Sequence, residues 1–443
     1  MSAAPQMESS GLTTPGLQRK TLPRRRWRIA WLLGLGVLIN FFDRVNLSVS
    51  HDALFAAFGV SDVVFGYLSS AYNLTYASLQ LPIGVILDKL GVKKVGRIST
   101  LLWSCASFGG AITPTLGGMF GARFLLGVGE APSFPGNAKA VGLWFPPHER
   151  SFATSLFDAA AKLASVIGIP LMGFVLIRFG WRWSFGLTGL LSFAYFLLFW
   201  RVYRDPADDP DLSPEERAYI DAGEGEQSED ERPAGPARSL FYLIAQRKVI
   251  GLVLGYGAYN YLFFLLLTWL PTYISSALHI DLMHSFLYTS VPWMIATCTD
   301  LFLGGLLVDW LIRRGASANR VRRIVLIGGT TFGLGIFGAA HATTAGQALL
   351  WVSIAISGLA AAAPVAWSLP SLITSRNNVG KVGGIINFSG QVSGITAQIL
   401  TGYIVEDLHS YAWVFIVPAI YLAIGILGYL FLLGRIELTP AME

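Results

Sequence analysis

Four places in this sequence set ionisable side chains inside long apolar runs: Asp43 beside Arg44, Arg123 seven residues before Glu130, Asp158 four before Lys162, and Asp300 by itself. A charge at the centre of a lipid bilayer costs about 3 kcal/mol or more unless it is paired or faces water, so each is a functional candidate. The available chemistry is of two kinds. A guanidinium or ammonium can hold an anion, and a carboxyl group can take up and release a proton. Adjacent helix positions point about 100° apart, so Asp43 and Arg44 must reach different neighbours. Arg123 and Glu130 are two turns apart on one helix face and should look into the same cavity. Burial favours the neutral carboxyl and a nearby cation favours the ionised one. A carboxyl group placed between those influences, as Glu130 is, can lose and regain a proton as the cation's partner changes. Asp158 and Lys162 have the spacing of an ion pair on one helix. Paired, they are structurally neutral; unpaired, Lys162 is an extra anion-binding charge, and both readings stay open. Asp300 is a further acid with a gating or a structural part to play.

These residues need elements to position them. Of the 443 residues 53% are hydrophobic and only 13% charged, which takes the chain outside the range of soluble globular domains. About 20 apolar residues make a span, and runs of that kind lie near 27–50, 62–87, 97–119, 121–143, 152–177, 183–203, 247–277, 285–311, 322–342, 346–373, 382–405 and 411–434. The predicted fold is therefore an all-α polytopic membrane protein of twelve transmembrane helices. The net charge of +5 comes from short basic clusters between runs, not from a separate basic domain, so no nucleic-acid partner is expected. Cys105 and Cys298 both fall in apolar runs, which predicts two reduced, buried thiols and no cysteine metal site; no metal or other cofactor is expected. The polar, arginine-ending segment 1–26 reads as a disordered cytoplasmic tail, 27–203 and 247–434 as two six-helix halves, 204–246 as an acidic cytoplasmic linker with a short surface helix at Ser213 to Ala222, and 435–443 as a cytoplasmic tail.

The halves repeat a pattern. Gly84, Asp88, Lys93 and Lys94 follow the second run, and Gly305, Asp309, Arg313 and Arg314 follow the eighth. Glycine permits close helix approach, and the aspartate ends the span beside cations. Two copies at equivalent places indicate duplication, the architecture of carriers with a site at the midplane between halves. This pairing, the six-plus-six layout and the linker resemble the major facilitator superfamily over essentially the whole chain beyond the tail. Asn40-Phe41-Phe42-Asp43-Arg44-Val45-Asn46, the stretch from Arg123 through Glu130 to Pro135, and Trp144-Phe145-Pro146-Pro147-His148-Glu149-Arg150 are similar to its anion:cation symporter branch, which includes bacterial carriers of galactonate, glucarate and hexuronates.

The resemblance implies roles. Asp43 and Glu130 would be proton-coupling carboxylates, Arg44 the grip on a substrate carboxylate, and Arg123 an anion sensor or the group that tunes Glu130. Tyr76, Trp367, Ser368, Asn387 and Gln391 would line the substrate site, and Asp88 and Asp309 would stabilise the closed cytoplasmic side. Ala161 stands where sugar-acid carriers often have glutamine, so one substrate-binding amide is missing. The implied activity is proton-coupled symport of a small organic anion, a sugar acid such as an aldonate, aldarate or uronate, by a monomer in a bacterial inner membrane. Carriage of an aromatic or dicarboxylic acid, phthalate- or tartrate-like, and a non-transporting membrane sensor are the alternatives. No zinc-protease or nucleophile-elbow motif marks an enzyme. Lys and Arg gather at one set of span ends, with only Arg178 and Arg182 opposite, which predicts that both termini are cytoplasmic. A green fluorescent protein fused to the C-terminus should then fluoresce and alkaline phosphatase fused there should be inactive; the reverse result would invert the topology.

Overall fold

The computed structural model describes residues 24–225, 238–278, 280–375 and 378–437. Most of the expected tails and the acidic middle of the linker thus lie outside the described residues. Apolar runs with no water to bond their backbones must close every N–H and C=O internally, and the described chain is helical almost throughout, with no strand among the described residues.

In the first half, α1 spans Arg25–Val49 and is followed by the short α2, His51–Phe58, and then by α3, Asp62–Ile112. Helix α3 joins two expected spans into one element. Its path breaks at Gly91, whose φ of 76° is open to glycine but strained for residues with a Cβ. There the chain reverses, so the 51 residues make two passes. The fourth pass is also in two pieces, α4 (Leu116–Glu130) and α5 (Ser133–Trp144), divided at Ala131 and Pro132. Helices α6 (Pro147–Phe179) and α7 (Trp181–Val202) complete the half.

The linker contributes α8, Pro214–Gly225, where a short surface helix is expected, and α9, Leu240–Ile244. The second half contains α10 (Arg247–Thr272), α11 (Leu282–Thr299), which continues through a π-helical stretch Asp300–Leu307 into α12 (Val308–Arg313), then α13 (Ala318–Gly333), α14 (Ile336–Ala339), α15 (Ala345–Ile373), α16 (Val379–Leu408) and α17 (Tyr411–Leu427). Among the described residues eight helices are each long and apolar enough to cross a membrane. The other four passes are the two within α3, the broken α4 and α5, and α16, whose Ser389, Gln391, Ser393 and Gln398 dilute its hydropathy. Contrary to expectation, Cys105 and Cys298 are exposed: both sit on outward helix faces, where the surrounding apolar medium is lipid and not protein core.

The linker side is built by charge. Glu216 on α8 is buried and accepts from the backbone N–H of Arg25 and of Arg26 at 3.1 Å each, and from Arg26 Nη1 at 2.9 Å. It satisfies the free N–H groups that begin α1. Arg25 also holds Asp209 at 2.8 Å and Arg26 holds Glu149 at 2.7 Å. Asp88 meets Lys139 at 2.6 Å, a contact inside the first half; the side chain of its counterpart Asp309 lies outside the described residues.

On the opposite, far side the halves are closed against each other. Ser48 Oγ donates to the Thr268 carbonyl at 2.6 Å, Gln398 Nε2 to Thr268 Oγ1 at 3.1 Å, and Asn73 Nδ2 to Gln398 Oε1 at 3.1 Å. Nearer the surface the Val63 N–H donates to Glu406 at 2.9 Å, and buried His51, between Asp52 and Asp62, packs its ring 5.7 Å from that of Trp269. Backbone approach is what makes this seam tight. A Cβ on Gly66 would stand 2.6 Å from the Gln398 carbonyl oxygen, and one on Gly402 2.5 Å from that of Asp62. Gly66→Leu should therefore prop the far side open. With Cys105 and Cys298 replaced, Asn73→Cys should be shielded from a membrane-impermeant maleimide in the parent and labelled in the Gly66→Leu background; equal shielding in both would mean the seam absorbs the side chain.

Candidate functional site

The middle of α1 carries the charges. Asn40, Asp43 and Asn46 are all buried, and as the 100° step requires, Asp43 and Arg44 part company. Asp43 turns into its own half. Its carboxylate accepts from Trp103 Nε1 at 2.7 Å, Ser107 Oγ at 2.8 Å and Ser192 Oγ at 3.3 Å, while Arg123 Nη1 donates to its backbone carbonyl at 3.3 Å. Three donors converging on one carboxylate suit its acceptor-only, ionised form.

Arg44 turns toward the space between halves. Its guanidinium carbon lies 4.2 Å from the ring centre of Phe41, 4.8 Å from Tyr72 and 5.5 Å from Tyr76, an aromatic cage for a cation. Its Nη2 donates to Asn40 Oδ1 at 3.0 Å and stands 3.6 Å from Glu130 Oε2. Glu130 is fully buried, and both of its carboxylate oxygens are without a hydrogen-bond partner. The acid expected to share a cavity with Arg123 of its own helix is thus the counter-ion of Arg44 on another. Arg123 is also buried and lies 5.4 Å from the Tyr72 ring, so one tyrosine separates the two guanidiniums. A narrow cavity reaches from Arg44 and Arg123, past Tyr72 and Asn73, to Thr268 and Gln398 of the far-side seam.

The remaining intramembrane charges form a second cluster. Lys162 on α6 reaches Asp158 at 3.1 Å and Asp300, in the other half, at 2.7 Å. Of the two readings of Lys162, the paired one is found, with an additional partner that spacing along one helix could not show. On the wall of the second half, the Trp367 ring stands edge-on to Tyr256 at 5.4 Å and the residue is 45% exposed. Ser368 Oγ donates to the Val365 carbonyl at 2.7 Å and Ser389 Oγ to that of Ile386 at 2.8 Å, so both hydroxyls are engaged on their own helices. Asn387 is half-buried, and Gln391 is buried with Oε1 unpartnered.

Sequence reasoning passed over the donors to Asp43 and the seam residues Ser48, Asn73, Thr268 and Gln398. A signal was available for the first group: Trp103 and Ser107 are one turn apart, so their polar atoms share a face. In Asp43→Asn one acceptor oxygen becomes an NH2 that faces donors, leaving a buried donor unpaired at a cost of about 1–3 kcal/mol. The variant should melt at a lower temperature in detergent than the parent; an unchanged melting temperature would mean that Trp103 and Ser107 find other acceptors.

Residues 33–320 match the model of the Major Facilitator Superfamily. Over 93% of its length the chain is 36% identical to the uncharacterized transporter YybO of Bacillus subtilis (strain 168), covering 95% of that protein. It is 30% identical to the probable galactarate/D-glucarate transporter GudP of the same organism over 93% of this chain and 92% of that one. Among solved structures, a D-xylose-proton symporter superposes with a TM-score of 0.72 at 16% identity, over 94% of this chain and 98% of that one, a likeness of fold alone. Two six-pass halves closing over a charged cavity, in a sequence that matches this family over most of its length, are those of a transporter and not an enzyme: the chain belongs to the Major Facilitator Superfamily.

Proposed function

We propose that this transporter carries a small organic anion, a sugar acid, together with protons, by alternating access. The observation that supports this reading most is the pairing of Arg44 with Glu130. Glu130 is buried, its oxygens receive no hydrogen bond, and its nearest cation is 3.6 Å away, longer than the 2.7–2.9 Å of a charge-assisted hydrogen bond. Glu130 is thus a loosely held internal anion on a guanidinium whose planar fork suits a carboxylate. When the carboxylate of a substrate takes Arg44, Glu130 loses its counter-ion. A bare carboxylate in that setting is costly, so it takes a proton. The anion and proton then travel with their charges offset, and release of the substrate returns Glu130 to Arg44.

Arg123 adds positive potential to the same cavity, which Tyr72 also lines, and the Tyr76 ring stands against Arg44. The substrate class draws on the relatives, of which GudP of Bacillus subtilis is named for galactarate and D-glucarate. Asp43 enters the proton cycle only through a rearrangement that takes Trp103 and Ser107 off its carboxylate. In this reading the linker side is cytoplasmic, the far side is the closed gate, and one chain is the working unit.

The test is uptake into proteoliposomes across sugar acids, aromatic acids and dicarboxylates, with and without an inward proton gradient. A pH difference of one unit and a tenfold concentration ratio are each worth about 1.4 kcal/mol, so each coupled proton should sustain about tenfold accumulation per unit of pH, with charge movement clamped. Glu130→Gln should abolish that accumulation and keep counterflow exchange, which needs no proton cycle. Full uphill uptake by Glu130→Gln would remove Glu130 from coupling, and uptake of an aromatic acid alone would replace the sugar acid as substrate.

A further inference from the structure

The cluster of Asp158, Lys162 and Asp300 lies apart from the Arg44 site, and nothing in the cycle above uses it. Two acids share one base, so with all three ionised it carries one net negative charge within the membrane. Lys162 is buried and Asp300 only 4% exposed, with Asp300 Oδ2 at 2.7 Å from Lys162 Nζ and Oδ1 buried without any hydrogen-bond partner. The Asp158 side chain, by contrast, is 39% exposed. The titratable groups that face the cluster from α10 are Tyr259, toward all three members, and Tyr256, toward Asp158; the others are those of α6 and of the Asp300 turn themselves.

Two further features set this cluster apart from a brace. Asp300 opens the π-helical stretch Asp300–Leu307, and a widened turn inside an α-helix is frequent at functional sites; of the three such stretches among the described residues, this one begins at a buried acid. The contact between Lys162 and Asp300 also joins the halves, since α6 belongs to the first and Asp300 to the second. This ion pair spans two bodies that move relative to each other, whereas the pair Asp158 and Lys162 lies on one helix and moves as a unit.

Resting on the proton-coupled reading above, we propose that Asp300 is a second proton site, separate from Glu130, whose charge is offset by Lys162 in the empty carrier and by a proton in the loaded one. In the empty carrier Lys162 bridges to ionised Asp300, as it does here. With the far side open, a proton from water forms an O–H bond at the unpartnered Oδ1 of Asp300. Lys162 keeps its own proton throughout and stays on Asp158, the cluster goes from one net negative charge to none, and no ion pair crosses the seam. Loss of the proton to water on the linker side restores the bridge, and the empty carrier returns with Asp300 paired and unprotonated.

The experiment is proton stoichiometry in proteoliposomes, read from the substrate accumulation that a known pH difference sustains while the membrane potential is clamped. Two coupled protons should hold about a hundredfold ratio per pH unit in the parent, and one proton about tenfold. Asp300→Asn should drop the parent ratio from about a hundredfold to about tenfold and leave counterflow intact. Lys162→Gln combined with Asp300→Asn, which leaves no buried lysine unpaired across the seam, should give the same one-proton ratio if the single variant fails to fold. A parent ratio near tenfold, or a ratio in both variants equal to that of the parent, overturns the second proton site while leaving the Glu130 cycle standing. A parent with no accumulation driven by pH overturns both proposals.

Discussion

The constraint on which everything else in this molecule depends is that a charge removed from water must be given a partner or a task. Where the structure fully satisfies a charge, it builds. Asp43 with its three donors binds α1 to the third and sixth passes, and Glu216 fixes the start of α1 through two backbone amides and a guanidinium. Where it satisfies a charge incompletely, it leaves something that can change state. Both oxygens of Glu130 and one of Asp300 are of this second kind, and each of these acids is the counter-ion of a buried cation.

The two kinds are arranged in layers through the membrane. Linker-side charges are paired within the first half and its linker, as in Asp88 with Lys139 and Arg26 with Glu149. Those contacts do not tie the halves together. The far-side seam is made mostly of neutral hydrogen bonds and close backbone approach, with Ser48, Asn73, Thr268 and Gln398 as its polar members. Neutral hydrogen bonds are worth about 1 kcal/mol each, so such a seam holds a gate shut and still lets it open. The incompletely satisfied ions lie between these layers, where their state bears on the seam.

The fold was readable because membrane solvation leaves few options: apolar runs of span length must be helices, and the doubled glycine, aspartate and basic-pair motif exposes the duplication. The charges within a single helix were equally plain, since Asp158 and Lys162 stand one turn apart. What sequence could not supply was partnership between helices. Glu130 was read against Arg123 because they share a face, and its counter-ion proved to be Arg44, 86 positions away in the chain. Lys162 was read against Asp158, and Asp300 joins it from the other half. The lipid-facing position of both cysteines escaped for a related reason, because an apolar run looks the same on the face turned to protein and the face turned to lipid.

The docking of α8 has a mechanical corollary. The linker is bound at its beginning to the first half through Asp209 and Glu216, and Arg238 is bound to the second, its N–H donating to Asn378 Oδ1 at 2.9 Å and its carbonyl accepting from Lys381 at 2.6 Å. Each half therefore carries one anchored end of the linker, Glu216 riding with the first and Arg238 with the second. Those two residues are marks on separate bodies, and the distance between them works as a displacement gauge for the transport cycle that can be read without touching the site.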